Sequence, residues 1–263
     1  MKITFVLITK NSEKIINKLL DSVKNICDEI IIVDNGSTDN TVKIVRSYTD
    51  KVYISLISGQ HFLSKLRNLG KDKATGDWIL CLDSDEILSE EANKLIPFVI
   101  SSDVYDGYWL RRRNYVGKNV YLKHGYFYPD FQLSLFKNRL GYKYTKELHT
   151  RIGIPENKTK KLDVDIFHYS QYPKYQSLNN LINFKEYIVS DANDLIRKKY
   201  SSIEFFLFGI YYFFSYFING FIRGKGFLDG YRGFIANFNF SFYISSGYLL
   251  AAYLKLIKKV NSI

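Results

Sequence analysis

Trp78-Ile79-Leu80-Cys81-Leu82-Asp83-Ser84-Asp85-Glu86 is the stretch on which the reading of this chain turns: five apolar residues run straight into three carboxylates within four positions. The apolar run has the length and flanks of a buried strand, with Gly76-Asp77 before it and a polar break after it. Side chains two apart on a strand share a face, which lets Asp83 and Asp85 point the same way. Crowded carboxylates raise one another's pKa, and a bound cation removes that penalty. Oxygen-only ligands suit Mg²⁺ or Mn²⁺, ions usually shared with substrate phosphates. The competing reading makes these acids the cap of the next helix. That helix has its own start signal in Ser89-Glu90-Glu91, which leaves Asp83-Ser84-Asp85 unexplained by capping.

Working outward, residues 3–9 read as a first strand, and Asn11 or Ser12 as the cap of a helix with apolar positions Ile15, Ile16, Leu19, Leu20, Val23 and Ile26. Glu29 to Val33 is a second buried strand that ends in Asp34-Asn35-Gly36-Ser37-Thr38-Asp39, where Asp39 reads as a helix cap. A helix through Val42, Val45 and Tyr48, a strand over 51–57 and a helix over 62–74 complete the run up to Trp78. Gly70 and Gly76 read as turn residues. Alternating helices and near-continuous apolar strands predict an α/β fold, a Rossmann-like, mostly parallel sheet flanked by helices. Ligands of such sheets bind beyond the carboxyl ends of the strands. Three polar clusters fall there: Thr9-Lys10-Asn11, Asp34 to Asp39, and Asp83 to Glu86.

Beyond Ile100 the rhythm changes. Residues 104–136 carry many Tyr among short strand-like pieces, read as mixed or antiparallel structure forming one wall of a cleft. From Leu178 to Lys199 the pattern is helical, and neither Phe205–Ile222 nor Phe234–Leu254 contains a charge. The formal net charge of the chain is +11, and from Arg197 to Ile263 nine Lys/Arg stand against two acidic residues. Basic and aromatic together point to nucleic acid or to an anionic membrane surface. The ordered acidic clusters argue against nucleic acid, which they would repel. Two cysteines, Cys27 and Cys81, are too few for a disulfide framework or a zinc cluster, and fit a reduced compartment. The short apolar run at the amino terminus lacks a small-residue cleavage site and reads as a strand, not a signal peptide.

The ordered set Asp34-Asn-Gly-Ser-Thr-Asp39, Arg67-Asn68-x-Gly70, Ala74-x-Gly76-Asp77 and Leu82-Asp83-Ser84-Asp85-Glu86 resembles family 2 glycosyltransferases of the GT-A fold over residues 3–100. Asp130-x-Gln132-x-x-Leu135-Phe136, Phe167-His168-Tyr169 and Gly226-Phe227-Leu228-Asp229-Gly230 are similar to lipopolysaccharide core-biosynthesis glycosyltransferases, many of which transfer glucose. The resemblance implies transfer of a hexose from a nucleotide diphosphate sugar, a UDP-sugar, to a hydroxyl of a cell-envelope glycan, with inversion. It implies Asp34 hydrogen-bonding the base, Thr9 lying beside the base through its backbone, and Arg67 meeting the diphosphate or the base. Asp83 would contact the ribose or the metal, and Asp85 would ligate a divalent cation, Mg²⁺ or Mn²⁺. The base for the acceptor hydroxyl falls in Lys146-Glu147-Leu148-His149-Thr150, with threonine where relatives align a glutamate; Glu147 is the first candidate and His149 the second. Ser134 stands where many relatives carry an arginine, and His168 reads either as a metal-side group or as a packed histidine.

The implied organisation is a nucleotide-sugar half over 1–100, an acceptor-side half of the same domain over 101–176, and a helical, basic-aromatic extension over 177–263. That extension would hold the protein on the inner face of the cytoplasmic membrane, near a lipid-linked glycan acceptor; packing against the catalytic core and a helical hairpin spanning the bilayer are the second and third readings. A sugar-phosphate nucleotidylyltransferase is disfavoured, because Thr9-Lys10-Asn11-Ser12-Glu13 lacks the Gly-rich phosphate loop such an enzyme needs after its first strand. A catalytically degenerate, membrane-associated scaffold is the other alternative, motivated by Thr150 and Ser134.

Overall fold

A computed structural model describes residues 1–58, 62–102, 104–117, 119–145, 151–169 and 177–260. The chain forms two compact units, Met1–Arg113 with Asp130–Tyr169, and Asn114–Pro129 with Ser170–Ile263.

The first unit begins with β1 (Ile3–Thr9), α1 (Ile16–Val23), β2 (Glu29–Asp34), α2 (Thr41–Val45), β3 (Val52–Ile54), α3 (Phe62–Lys73) and β4 (Trp78–Leu82). It continues through β5 (Glu86–Leu88) and α4 (Glu90–Ser101) to β6 (Gly107–Gly117), whose end passes into the second unit and pairs there with β7 (Val120–Tyr121). β8 (Asp130–Lys137), β9 (Tyr144–Thr145), β10 (Arg151–Ile152) and β11 (Thr159–His168) return to the first. The sheet order is β3-β2-β1-β4-β8-β6-β11-β5. Its first four strands are parallel, β8 pairs antiparallel with both β4 and β6, and β11 antiparallel with β5. The aromatic stretch after Ile100 thus supplies the antiparallel half.

Both faces of the parallel half are covered, which is why the middles of β1 and β2 and all of β4 are apolar or nearly so. Phe5, Leu7, Ile30, Ile32, Leu80 and Leu82 face α1 and α4 in one core, while Val6, Ile31, Ile79 and Cys81 enter the other. Three local readings change. α1 starts at Ile16, because Ser12 O takes the Ile15 and Ile16 N–H groups (both 3.0 Å) and no side chain caps the helix. The third strand contracts to Val52–Ile54. Gly70 is inside α3, and a Cβ there would lie 2.5 Å from Val6 Cγ1, so it serves helix–sheet contact and not a turn. Ser89 caps α4 as expected, accepting from Ala92 N at 3.2 Å.

The second unit contains α5 (Lys185–Leu195), α6 (Ser202–Phe217) and α7 (Gly230–Val260). Ser201 and Glu204 close a capping box at the start of α6. α6 and α7 run antiparallel: Ser202 Oγ donates to Ala252 O (2.7 Å), and Phe217 meets Phe234 edge-on at 5.7 Å. Phe213-Phe217-Phe221 and Phe234-Phe238-Phe242 stack at helical spacing along the two helices. Between the helices the chain makes a π turn over Ile218–Arg223, with Gly224 N–H donating to Asn219 O at 2.7 Å. Buried Asn237 fills this corner, so a Cβ at Gly220 or Gly226 would approach its amide to 2.1 or 2.4 Å. Ser202–Arg223 and Gly226–Ile257, within which 18-residue stretches reach mean hydropathies of 1.5 and 1.3, are long and apolar enough to cross a membrane by length and composition. Phe206, Leu207, Ile210, Tyr211 and Phe214 of α6 are exposed.

Glu29, at the buried amino end of β2, accepts from Thr4 Oγ1 (2.5 Å), Thr75 N (2.8 Å) and Lys51 Nζ. Burial pushes its carboxyl up, but the hydrogen bonds from Lys51, Thr4 and Thr75 outweigh it and bring the pKa down to about 2. A depressed carboxylate pKa stabilises the fold above the unfolded value and loses that effect as pH falls through the folded value. Glu29→Gln is therefore expected to lower stability at pH 7 by about 1–3 kcal/mol. In urea unfolding, the gap between variant and native protein should close as pH falls from 4.5 toward 2; a gap independent of pH contradicts the assignment.

Candidate active site

β1, β2 and β4 end side by side. Thr9 pairs with Asp34, and Leu7 with Leu82, so Thr9, Asp34 and the acidic turn share the carboxyl rim. A cavity of about 630 Å³ lies at the opposite edge among Lys2, Asp28, Glu29, Thr75 and Gly76, where such sheets do not bind their ligands.

Strand geometry stops at Leu82. Asp83 O accepts Glu86 N–H at 3.0 Å, and Asp83 N–H donates to Glu86 Oε2 at 2.8 Å, which closes a turn. The two aspartates therefore diverge where strand alternation would have aligned them. Asp83 accepts from Arg67 Nη2 at 2.5 Å, and Arg67 lies over the Tyr144 ring, 5.5 Å from its centre. Asp85 Oδ2 faces His168 Nε2 at 3.4 Å, with each side chain about one-fifth exposed. β5 and β11 fix this meeting, since Glu86 pairs with His168 and Asp85 O accepts from Tyr169 N. Ser84 Oγ accepts from Ser12 Oγ at 3.0 Å and ties the turn to the end of β1.

Glu86 points inward and is almost fully buried. Burial and the neighbouring Asp83 charge push its carboxyl up, against the pull of Arg112. Burial also acts on Asp83, but Arg67, Arg112 and His168 hold it below the usual carboxylate range. Arg112 joins the cluster to β8: its Nε donates to Asp130 Oδ2 (2.8 Å), its Nη1 stands 3.4 Å from Glu86 Oε1, and Gln132 Nε2 donates to Asp130 Oδ1 (2.7 Å). Arg112 carries no role in the sequence reading. Its signal was the triple Arg111-Arg112-Arg113 on a strand, where alternation sends Arg111 and Arg113 to Asp165 on one face and Arg112 to the other.

Asp34 is buried and organises its own loop, accepting from Gly36 N (3.0 Å), Ser37 N (2.9 Å) and Ser37 Oγ (2.5 Å). Thr9 Oγ1 is buried at the same rim with no hydrogen-bond partner, while Thr9 O accepts from Asn35 N. Asp39 lies one residue before Asn40, the N-cap of α2, and accepts from Thr41 N at 3.0 Å. Asn68 clamps β9 by exchanging two hydrogen bonds with the Tyr144 backbone (3.0 and 2.9 Å). Ser134 is buried at a bulge, the extra residue of β8 between Leu133, opposite Trp109, and Leu135, opposite Tyr108. Glu147 and His149 lie outside the described residues.

Among the described residues no group of three His, Cys, Asp or Glu encloses a metal ion. Asp85 and His168 offer one carboxylate and one imidazole, a donor pair that suits a cation completed by ligand phosphate and water. They fit a shared ion and not an all-protein cage.

An α/β sheet with a charged, partly open turn beyond its central parallel strand defines a ligand-binding domain of the doubly wound type. The chain belongs to glycosyl transferase family 2, which it matches over residues 4–201, and it is a glycosyltransferase. An uncharacterized glycosyltransferase of Rickettsia typhi is 30% identical over 261 residues, covering 92% of this chain and 83% of that one. The poly(ribitol-phosphate) beta-N-acetylglucosaminyltransferase TarS of Staphylococcus aureus is 30% identical over 128 residues, 46% of this chain and 22% of TarS. A crystal structure of TarS residues 1–349 in complex with UDP-GlcNAc aligns with a TM-score of 0.49 at 17% identity, over 94% of this chain and 90% of that one.

Arg112 is the countercharge for two carboxylates, one of them deeply buried. Arg112→Met is expected to cost about 3–5 kcal/mol, the usual penalty for stranding a buried charge. Arg112→Met with Glu86→Gln should recover a large part of that cost. Urea unfolding of the four proteins measures the coupling, and additive losses would remove Arg112 from this role.

Proposed function

We propose that the protein is an inverting, cation-dependent hexosyltransferase. It takes a hexose such as glucose from a UDP-sugar and places it on a hydroxyl of a lipid-linked cell-envelope glycan of the lipopolysaccharide-core kind. The observation that carries this reading is Asp85 facing His168, both partly open, beside the Arg67–Asp83 pair at the end of β4.

In this reading Asp85, with His168, holds a divalent cation that supplies positive charge against the leaving diphosphate. Arg67, held beside Asp83 and Tyr144, meets the diphosphate or the base. The open part of Asp83 meets the ribose. The base of the nucleotide lies along the backbone at Thr9, and Asp34 accepts its N–H by exchanging the Ser37 hydroxyl that it now holds. Glu147, or His149 in its place, takes the proton from the acceptor hydroxyl as that oxygen attacks the anomeric carbon on the face opposite the diphosphate. The exposed apolar side chains of α6, with Lys and Arg at the ends of both long helices, favour attachment to the inner face of the cytoplasmic membrane, where a lipid-linked acceptor is available.

The test is release of nucleoside diphosphate from a panel of uridine and non-uridine nucleotide sugars by the full chain, with Mn²⁺, with Mg²⁺ and with excess chelator. One UDP-hexose is expected to be turned over only with the cation. Asp85→Asn is expected to reduce turnover by at least about 10²-fold with an unchanged thermal midpoint. Full activity in chelator, or in the Asn variant, contradicts the cation site; turnover of only non-uridine donors contradicts the base assignment.

A further inference from the structure

A second constellation of charged side chains lies within the helical unit, and nothing in the transfer chemistry uses it. The segment Val120–His124 and the turn Leu228–Arg232 enclose a cavity of about 340 Å³. Three residues that carry or can take up positive charge line it: Lys123, His124 and Arg232. Its one carboxylate, Asp229, is only 9% exposed and already engaged, accepting from Lys123 N, His124 N and His124 Nδ1, each at 3.0 Å. A carboxylate accepts only, so the Nδ1 facing it carries the proton and His124 Nε2 is left for another partner. Among the described residues Lys123 and Arg232 form no ion pair; each lies over an aromatic ring, Tyr121 at 5.6 Å and Tyr231 at 5.3 Å.

The two segments are joined firmly. Gly125 N–H donates to Gly224 O at 2.8 Å, and the Asn237 corner packs against Gly125, Gly220 and Gly226. The cationic groups are thus held by a fixed scaffold and not by loose loops. Residues 114–128 contain no acid, and residues 218–233 contain only Asp229 against Arg223, Lys225 and Arg232. Beside the cavity, Phe227 is 50% exposed, Leu228 58% and Tyr231 67%. Apolar tips next to unpaired cations match a bilayer boundary, where acyl chains and phosphates lie within one side-chain length.

We propose that this cavity binds the phosphate of a membrane lipid headgroup, with Lys123 and Arg232 paired to its oxygens, His124 Nε2 accepting from a protonated phosphate oxygen, and Phe227 and Leu228 set among the acyl chains. The inference rests on the membrane attachment proposed above and makes it specific: attachment is through phosphate recognition at one end of the helix pair.

The experiment is flotation of the full chain with phosphatidylcholine vesicles, with and without phosphatidic acid, alongside calorimetric titration with inorganic phosphate. Lys123→Gln with Arg232→Gln is compared with Lys198→Gln with Lys199→Gln, which removes the same charge elsewhere in the unit. The native chain is expected to bind the phosphatidic acid vesicles. The cavity pair should lose at least about tenfold more of that binding than the control pair, because diffuse attraction would treat the two alike. Thermal midpoints of both pairs should stay close to that of the native chain, and His124→Gln alone should show an intermediate loss. Equal losses from the two pairs would overturn the headgroup site while leaving membrane attachment intact. No binding of the native chain to either vesicle would overturn attachment and the site with it. Tight binding of inorganic phosphate, with vesicle binding indifferent to the cavity pair, would assign the cavity to a soluble phosphate instead.

Discussion

Three carboxylates within four residues at the end of a buried strand repel one another, and the surrounding structure is arranged to hold them. Arg67 from α3 takes Asp83, Arg112 from β6 takes Glu86 and Asp130, and His168 from β11 faces Asp85. Each countercharge comes from a different element. The turn therefore keeps its shape only when the parallel half of the sheet and its antiparallel continuation are both in place. Of the three acids, Asp85 has no guanidinium at hand among the described residues, and its imidazole partner is 3.4 Å away. That leaves it the carboxylate with capacity for an outside cation, where Asp83 and Glu86 are committed to the protein.

Much of this was legible in the residues. Apolar runs at β1, β2 and β4 required a covered parallel sheet, and their polar ends named the rim that holds Thr9, Asp34 and the acidic turn. The long-range partners were not legible. Nothing local says that Asn68 clamps Tyr144, that Arg112 spans two strands to Glu86, or that Gly70 makes room for Val6. These depend on which strands become neighbours once the order β4-β8-β6-β11-β5 is set. The parity argument for Asp83 and Asp85 failed for a local reason: the chain turns at Asp83, so strand alternation no longer applies. Ser134 lies at a bulge, where counting residues in a strand also misleads.

The helical unit shows how composition can be read in two ways. The glycines of its Gly224-Lys225-Gly226 answer crowding at the corner that Asn237 fills: a Cβ on Gly226 would meet Asn237 Nδ2 at 2.4 Å, and one on Gly224 would meet Gly220 O at 2.8 Å. Its Asn and Ser residues interrupt the apolar run of α7, but Asn237, Asn239, Ser241 and Ser245 are buried within the unit. The outward residues of α6 and of the 227–231 turn include Phe206, Leu207, Ile210, Tyr211, Phe214, Phe227, Leu228 and Tyr231.

The central claim is that Asp85 binds a cation together with the donor's diphosphate. Calorimetric titration of UDP, with and without Mn²⁺, into the native chain and into Asp85→Asn tests it without relying on turnover. Mn²⁺ is expected to raise UDP affinity at least about tenfold in the native chain and to leave the Asn variant unchanged. Equal UDP affinity with and without Mn²⁺ in the native chain, or an undiminished Mn²⁺ effect in Asp85→Asn, would contradict the account.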